Sequence, residues 1–242
     1  MKTLEQRKRY IGTQYKYRGL TNAQEKEFFK KSFNFPKPYN LKKILNFYTF
    51  HWDQSKDFHL MNEALWAVSK VLPHCKKNSD HKLLLKTLSS WIRNIDNWAH
   101  SDTLSAHLAS LLDFALEEKD QQLISKHLKI RKKWNKSSNS WTRRQSIVSL
   151  LNYSRLRKKT LSFNKIINFI HPLLTDDAFY VQRAVGWTLR ETHNLYSQET
   201  YSYIEANIYK ISSIAFSAAT EKMGPTQKKK LLLLRKKFRR CP

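Results

Sequence analysis

The sequence predicts an all-α chain, a solenoid of paired helices with a concave, positively charged face. Three observations lead there. Apolar residues recur at helical spacing through most of the 242 residues, the 3.6-residue period that puts one stripe of side chains on one face. Only four glycines and six prolines punctuate the chain, and no stretch shows the strand-and-turn rhythm of a β fold. A degenerate segment occurs four times at a spacing of about forty residues, the period of a helical repeat.

Taken in order, helix-sized segments fall at about 4–17, 22–33, 40–50, 55–72, 79–94, 98–117, 119–134, 140–158, 163–171, 177–194, 198–209 and 210–222. The breaks come at Pro36 and Pro38, then at "LPHCKKNSD", "NKSSNS", "HPLLTDD" and "GPTQ", all rich in turn formers. Residues 1–224 read as one domain and 225–242 as a basic C-terminal segment, whose "KKKLLLLRKKFRR" suits a solvated amphipathic helix. The repeat is carried by "KDFHLMNEALWAV" at 56–68, "DNWAHSDTLSAHLASLL" at 96–112, "NSWTRRQSIVSLL" at 139–151 and "AFYVQRAVGWTLR" at 178–190. The offsets of about 39 to 43 residues match paired-helix solenoids of the HEAT type.

Composition narrows the partner. Lysine and arginine number 45 against 19 acids, a net charge of +26, while 40% of residues are apolar. The chain therefore has a core to bury, and its excess charge favours a polyanion over a membrane surface or a protein scaffold role. Cys75 and Cys241 form neither a metal spacing nor a disulfide framework, and nine histidines lack paired ligand spacing, so no metal or cofactor is expected. The N-terminus lacks a signal-peptide core, and no apolar run approaches the roughly 20 residues of a membrane span. The expectation is a cytoplasmic, nucleoid-associated monomer.

Two groups stand off the apolar stripes. In 98–117 the stripe is Leu104, Leu108, Leu111, Leu112 and Ala115, and Trp98 and Asp102 project roughly 100° to 140° from its centre. Asp102 lies too far into the helix to cap it, a task better suited to Asp96 or Asn97. It is either a solvated acid or a catalytic carboxylate. His100, off the face shared by Trp98 and Asp102, reads as a surface or phosphate-contacting residue. In 177–194, Arg183, Trp187 and Arg190 oppose the stripe of Val181, Ala184, Val185, Thr188 and Leu189. Such an indole either stacks on a nucleotide while the arginines meet phosphates, or packs under a neighbouring repeat with the arginines shielding its face. Arg143 and Arg144 are both candidates for the outward position of their helix.

Trp98-x-x-x-Asp102, then "WTRRQSI" and "FYVQRAVGWTLRE", resemble the HEAT-like-repeat DNA glycosylases of the bacterial DNA alkylation repair family. "YIGTQYKYRGL" resembles that family's aromatic-rich entry segment. The resemblance implies hydrolysis of the N-glycosidic bond of N3- and N7-alkylated purines, such as 3-methyladenine and 7-methylguanine, in double-stranded DNA. It implies no base flipping and no lyase step. By the same resemblance Asp102 is the catalytic carboxylate, Trp98 and Trp187 are aromatic walls against the damaged nucleotide's sugar, and Arg144 is a phosphate contact. A non-catalytic DNA-binding module is the alternative.

Overall fold

The computed structural model describes residues 3–240, with side chains to residue 237. Among the described residues it is all-helical: α1 (Leu4–Ile11), α2 (Asn22–Ser32), α3 (Leu41–Gln54), α4 (Phe58–Val71), α5 (Asn78–Trp91), α6 (Trp98–Glu117), α7 (Gln121–Asn135), α8 (Ser140–Leu151), α9 (Phe163–Ile170), α10 (Phe179–His193), α11 (Ser197–Ala206), α12 (Ser213–Ala219) and α13 (Pro225–Arg240). The one extended pairing among these residues is an isolated bridge between Lys16 and Asp57. None of these helices is long and apolar enough to cross a membrane. Each of the four repeat segments opens a helix, namely α4, α6, α8 and α10. The chain divides into two compact units, one ending at Leu111 and the other beginning at Leu112.

In the first unit α3 packs on α4 and α5. Its core contains a stacked indole pair, Trp52 on Trp91, with ring centres 4.8 Å apart. Burying two indoles leaves two N–H donors to satisfy: Trp52 donates to the Trp91 carbonyl at 2.8 Å and Trp91 to the Thr49 hydroxyl at 3.0 Å. Helix α1 stops well short of the expected residue 17. Gly12 adopts the left-handed conformation, φ 80°, as its C-cap, a geometry glycine takes without a Cβ clash. Beyond it the chain runs extended, because Lys16 exchanges backbone hydrogen bonds with Lys56 and Phe58 at 2.9 Å each.

Asn97 caps α6, its side-chain oxygen accepting from the His100 N–H at 2.9 Å. His100 itself corrects the sequence expectation, for it is fully buried. Its ring stacks on Phe58 at 4.4 Å. The Nε2–H donates to the Phe58 carbonyl at 3.1 Å, while Nδ1 accepts from the Asn97 amide at 2.9 Å. The start of α4 covers a side of α6 that helical angles alone leave open.

In the second unit α7 pairs with α8, and α10 lies between α8 and α12. Ile147, Ile166, Val181, Ala184, Val185 and Leu189 form its centre, with Leu231 of α13 in the same cluster. Gly186 sets the approach of α10 to α12. A Cβ added there would stand 2.4 Å from the Ala215 carbonyl oxygen and 2.7 Å from the Ala218 methyl. Helix α8 ends at Leu151 rather than near 158, because Tyr153 turns left-handed at φ 51° and the Ser154 N–H and hydroxyl are captured by Glu191 at 2.8 and 2.7 Å. Cys75 is buried and free; Cys241 lies outside the described residues.

Two outcomes are expected. Gly186→Ala must push α12 away from α10, destabilising the protein by about 1–3 kcal/mol in urea titrations; an unchanged midpoint would mean that the two helices do not meet here. Burial lowers the His100 pKa from 6.5 to about 4, so the unfolded chain takes up the proton first as pH falls. Stability is complete above about pH 6.5 and drops by on the order of 3 kcal/mol as pH approaches 4. A His100→Gln variant should show a shallower decline between urea midpoints at pH 7 and pH 4.5. An equally steep decline would show that His100 does not contribute it.

Candidate active site

The site residues fall into two groups, one in each unit. The first is built at the entry to α6. Asp96, just ahead of the helix, gathers the N-terminal segment: its carboxylate accepts from the Thr13 hydroxyl at 2.9 Å, the Gln14 N–H at 2.7 Å and the Asn97 amide at 2.7 Å. The Tyr15 hydroxyl donates to the Asn94 carbonyl at 2.8 Å. This docking brings the end of α1 to Trp98, whose indole N–H donates to the Tyr10 carbonyl at 2.8 Å. The Tyr10 ring meets the indole edge to face, 5.6 Å between centres. Asp102 follows one turn later on α6, and both Trp98 and Asp102 are partly exposed. The placement off the core stripe is what the helical angles predict.

The second group centres on Trp187 of α10. Its ring is half-buried and packs against the core cluster of its unit, while the indole N–H donates to Glu191 Oε1 at 3.3 Å. The other oxygen of Glu191 holds Ser154, so one buried carboxylate fixes both the indole and the left-handed turn at Tyr153. Burial by itself would raise the Glu191 carboxyl. The Ser154 hydrogen bonds, the Arg190 charge and the Trp187 N–H outweigh it and hold the group below the ordinary glutamate range. The turn presents the exposed Tyr153 ring to Trp187, 5.8 Å away at 72°.

The four arginines differ. Arg144 is buried, donates to the Tyr180 carbonyl at 2.9 Å and sets its guanidinium 6.0 Å from the Trp187 ring centre. Arg143 is a two-pronged partner of Asp176, at 2.6 and 3.0 Å, and also donates to the Ser137 and Ser138 carbonyls. Arg190 pairs with Glu221 at 2.6 Å and Glu191 at 3.4 Å. Arg183 points into solvent. The structure thus brings Arg144 to Trp187 and commits Arg143 and Arg190 to ion pairs. Between α8 and α10 the repeat positions Trp141 and Tyr180 meet as a stacked pair, 4.5 Å between centres.

Tyr10, Tyr153 and Glu191 were not singled out by sequence. Tyr10 lay inside the recognised entry segment, and Glu191 inside "GWTLRE", but their roles depend on contacts between distant segments. Tyr153 had no signal, since its left-handed backbone follows from a tertiary hydrogen bond.

The family model described as "DNA alkylation repair enzyme" matches residues 1–223. Two crystal structures from Streptococcus mutans share the fold. AlkD2 is 19% identical with a TM-score of 0.53, covering 98% of this chain and 99% of its own. The smu.31 protein from strain UA159 is 20% identical with a TM-score of 0.52, covering 89% of this chain and 92% of its own. Comparison with curated proteins gave no match. With a helical fold of this kind and a family match running through both groups of site residues, the chain belongs to the DNA alkylation repair enzyme family.

Proposed function

We propose that the protein is a monofunctional DNA glycosylase that hydrolyses the N-glycosidic bond of N3- and N7-alkylated purines in duplex DNA, without extruding the base. The observation that carries this reading is the pairing of Trp98 with Asp102 on the partly exposed side of α6, the indole fixed by the Tyr10 carbonyl. An alkylpurine cation is already a good leaving group, so the transition state needs no proton delivered to the base. Positive charge develops instead on the deoxyribose. A fixed carboxylate at Asp102 opposes that charge and orients the attacking water, and the faces of Trp98 and Trp187 add cation–π attraction. Glu191 acts through Trp187 as a positioning residue.

In this reading the repeat helices are HEAT-like, a basic surface receives the DNA, and the protein works as a monomer. Of the four arginines, Arg183 is the one poised to meet a phosphate directly. Arg144 supports the Trp187 face, and Arg143 and Arg190 reach phosphate only by sharing their acid partners. With a carboxylate as the key group and no lysine nucleophile assigned, the product is an abasic site with an intact backbone.

The test is release of 7-methylguanine and 3-methyladenine from single-lesion duplexes, read as abasic sites. Asp102→Asn is expected to slow excision about 10²–10³-fold while leaving binding to the duplex unchanged. An equally fast variant would remove Asp102 from the chemistry. Binding without excision of either base by the wild type would leave a non-catalytic DNA-binding protein. Trp98→Ala is expected to slow excision roughly five- to thirty-fold, the worth of about 1–2 kcal/mol of cation–π stabilisation. Its thermal midpoint should shift by only a few degrees, because the ring is partly exposed; a collapse of the fold would make Trp98 a core residue instead.

A further inference from the structure

The family match ends at residue 223, and α13 begins two residues later. None of the proposed site residues lies on it. The helix is nonetheless fastened to the second unit. Leu231 is fully buried in the core cluster and Leu234 packs against it. Arg235 donates to the Ile211 carbonyl at 2.7 Å and sets its guanidinium 4.9 Å from the Phe216 ring centre. These three contacts fix the rotation of the helix about its axis.

That rotation decides what faces outward. At about 100° per residue, Lys229, Lys230, Lys236 and Lys237 project roughly 140° to 260° from Leu231, and all four are exposed. They span about 12 Å of helix at 1.5 Å per residue. No acid occurs between residues 222 and 242, so nothing within the segment neutralises this face. Glu221, just before it, is held by Arg190.

We propose that the lysine face of α13, made of residues other than those of the excision site, is a contact surface for the phosphate backbone of duplex DNA, which holds the protein on undamaged DNA. A fixed row of ammonium groups releases condensed counterions when it meets phosphates. Lysine also suits a contact that positions without reading sequence, since it acts as a point charge rather than a planar fork. A membrane surface fits less well. An interfacial helix needs a continuous free apolar stripe, and here Leu231 and Leu234 are already used against the core, leaving Leu232 and Leu233 exposed, the latter among the lysines. The proposal rests on duplex DNA being the partner, not on the excision chemistry.

The experiment compares the full chain with a K229Q/K230Q/K236Q/K237Q variant, by fluorescence anisotropy on an undamaged duplex across about 50 to 200 mM salt. Wild type should bind with a steep dependence of log affinity on log salt. The variant's slope should be shallower by about 0.9 for each lost phosphate contact, roughly two to four in all, with an unchanged thermal midpoint. On a methylated duplex the variant's KM should rise while kcat at saturating DNA stays the same. An unchanged slope overturns the proposal. So does wild-type binding to phosphatidylglycerol vesicles that the variant loses while its duplex affinity is kept. Steep binding that the variant loses, without excision by either protein, would sustain this surface and overturn only the glycosylase reading.

Discussion

A chain carrying 45 basic residues and 19 acids folds against its own repulsion, and this constraint shapes where several of its acids go. Asp96 ties the entry segment to α6. Asp57 caps α4 and pairs with Arg18 at 2.8 Å. Asp176 holds Arg143, and Glu191 joins α10 to the turn after α8. Asp113 accepts the N–H groups of Lys158 and Lys159. In each case a carboxylate collects backbone or side-chain donors from a segment distant in sequence. Such charge-assisted bonds are stronger than neutral ones, so few acids suffice to pin the loops. Most cations are left for the surface, which is the distribution a protein acting on a polyanion requires.

The same economy explains the aromatic residues around the candidate site. Neither Trp98 nor Trp187 is placed by packing alone. Each indole N–H has a chosen acceptor, a backbone carbonyl at the end of α1 in one unit and a buried carboxylate in the other. An indole fixed by its polar edge can keep part of its face available without wandering among rotamers, which is what the proposed wall against a charged sugar needs.

How much of this was legible in the sequence follows from the range of the forces involved. Periodicity is local, so α6 was read at its observed bounds and most other helices within a few residues. The off-stripe position of Trp98 and Asp102 was legible for the same reason. Capping by Asn97 rests on one side chain and its own helix, and the sequence offers it as one of two choices. Failures began where a distant segment intervened. Helix α8 looked continuous to 158 until Glu191 captured Ser154. His100 looked solvated until Phe58 covered it. Arg190 sits off the core stripe as the helical angles predict, and the choice they leave open between Arg143 and Arg144 resolves with Arg144 buried. Asp176 and Glu221, the acids that engage Arg143 and Arg190, are connected to them by no spacing rule.

One feature of the first group bears on how the site behaves in time. Helix α1 buries no side chain of its own, yet the carbonyl that orients Trp98 is at its end. Elements with little buried apolar surface open at free energies far below that of global unfolding. The indole therefore shares the breathing of the least anchored helix of its unit rather than the rigidity of the Trp52–Trp91 core nearby. Its readiness has an equilibrium of its own, set by Asp96 and its grip on Thr13 and Gln14. A change at that clasp, two residues from Trp98, would alter the fraction of molecules with an ordered indole while leaving the fold, as measured by melting, almost untouched.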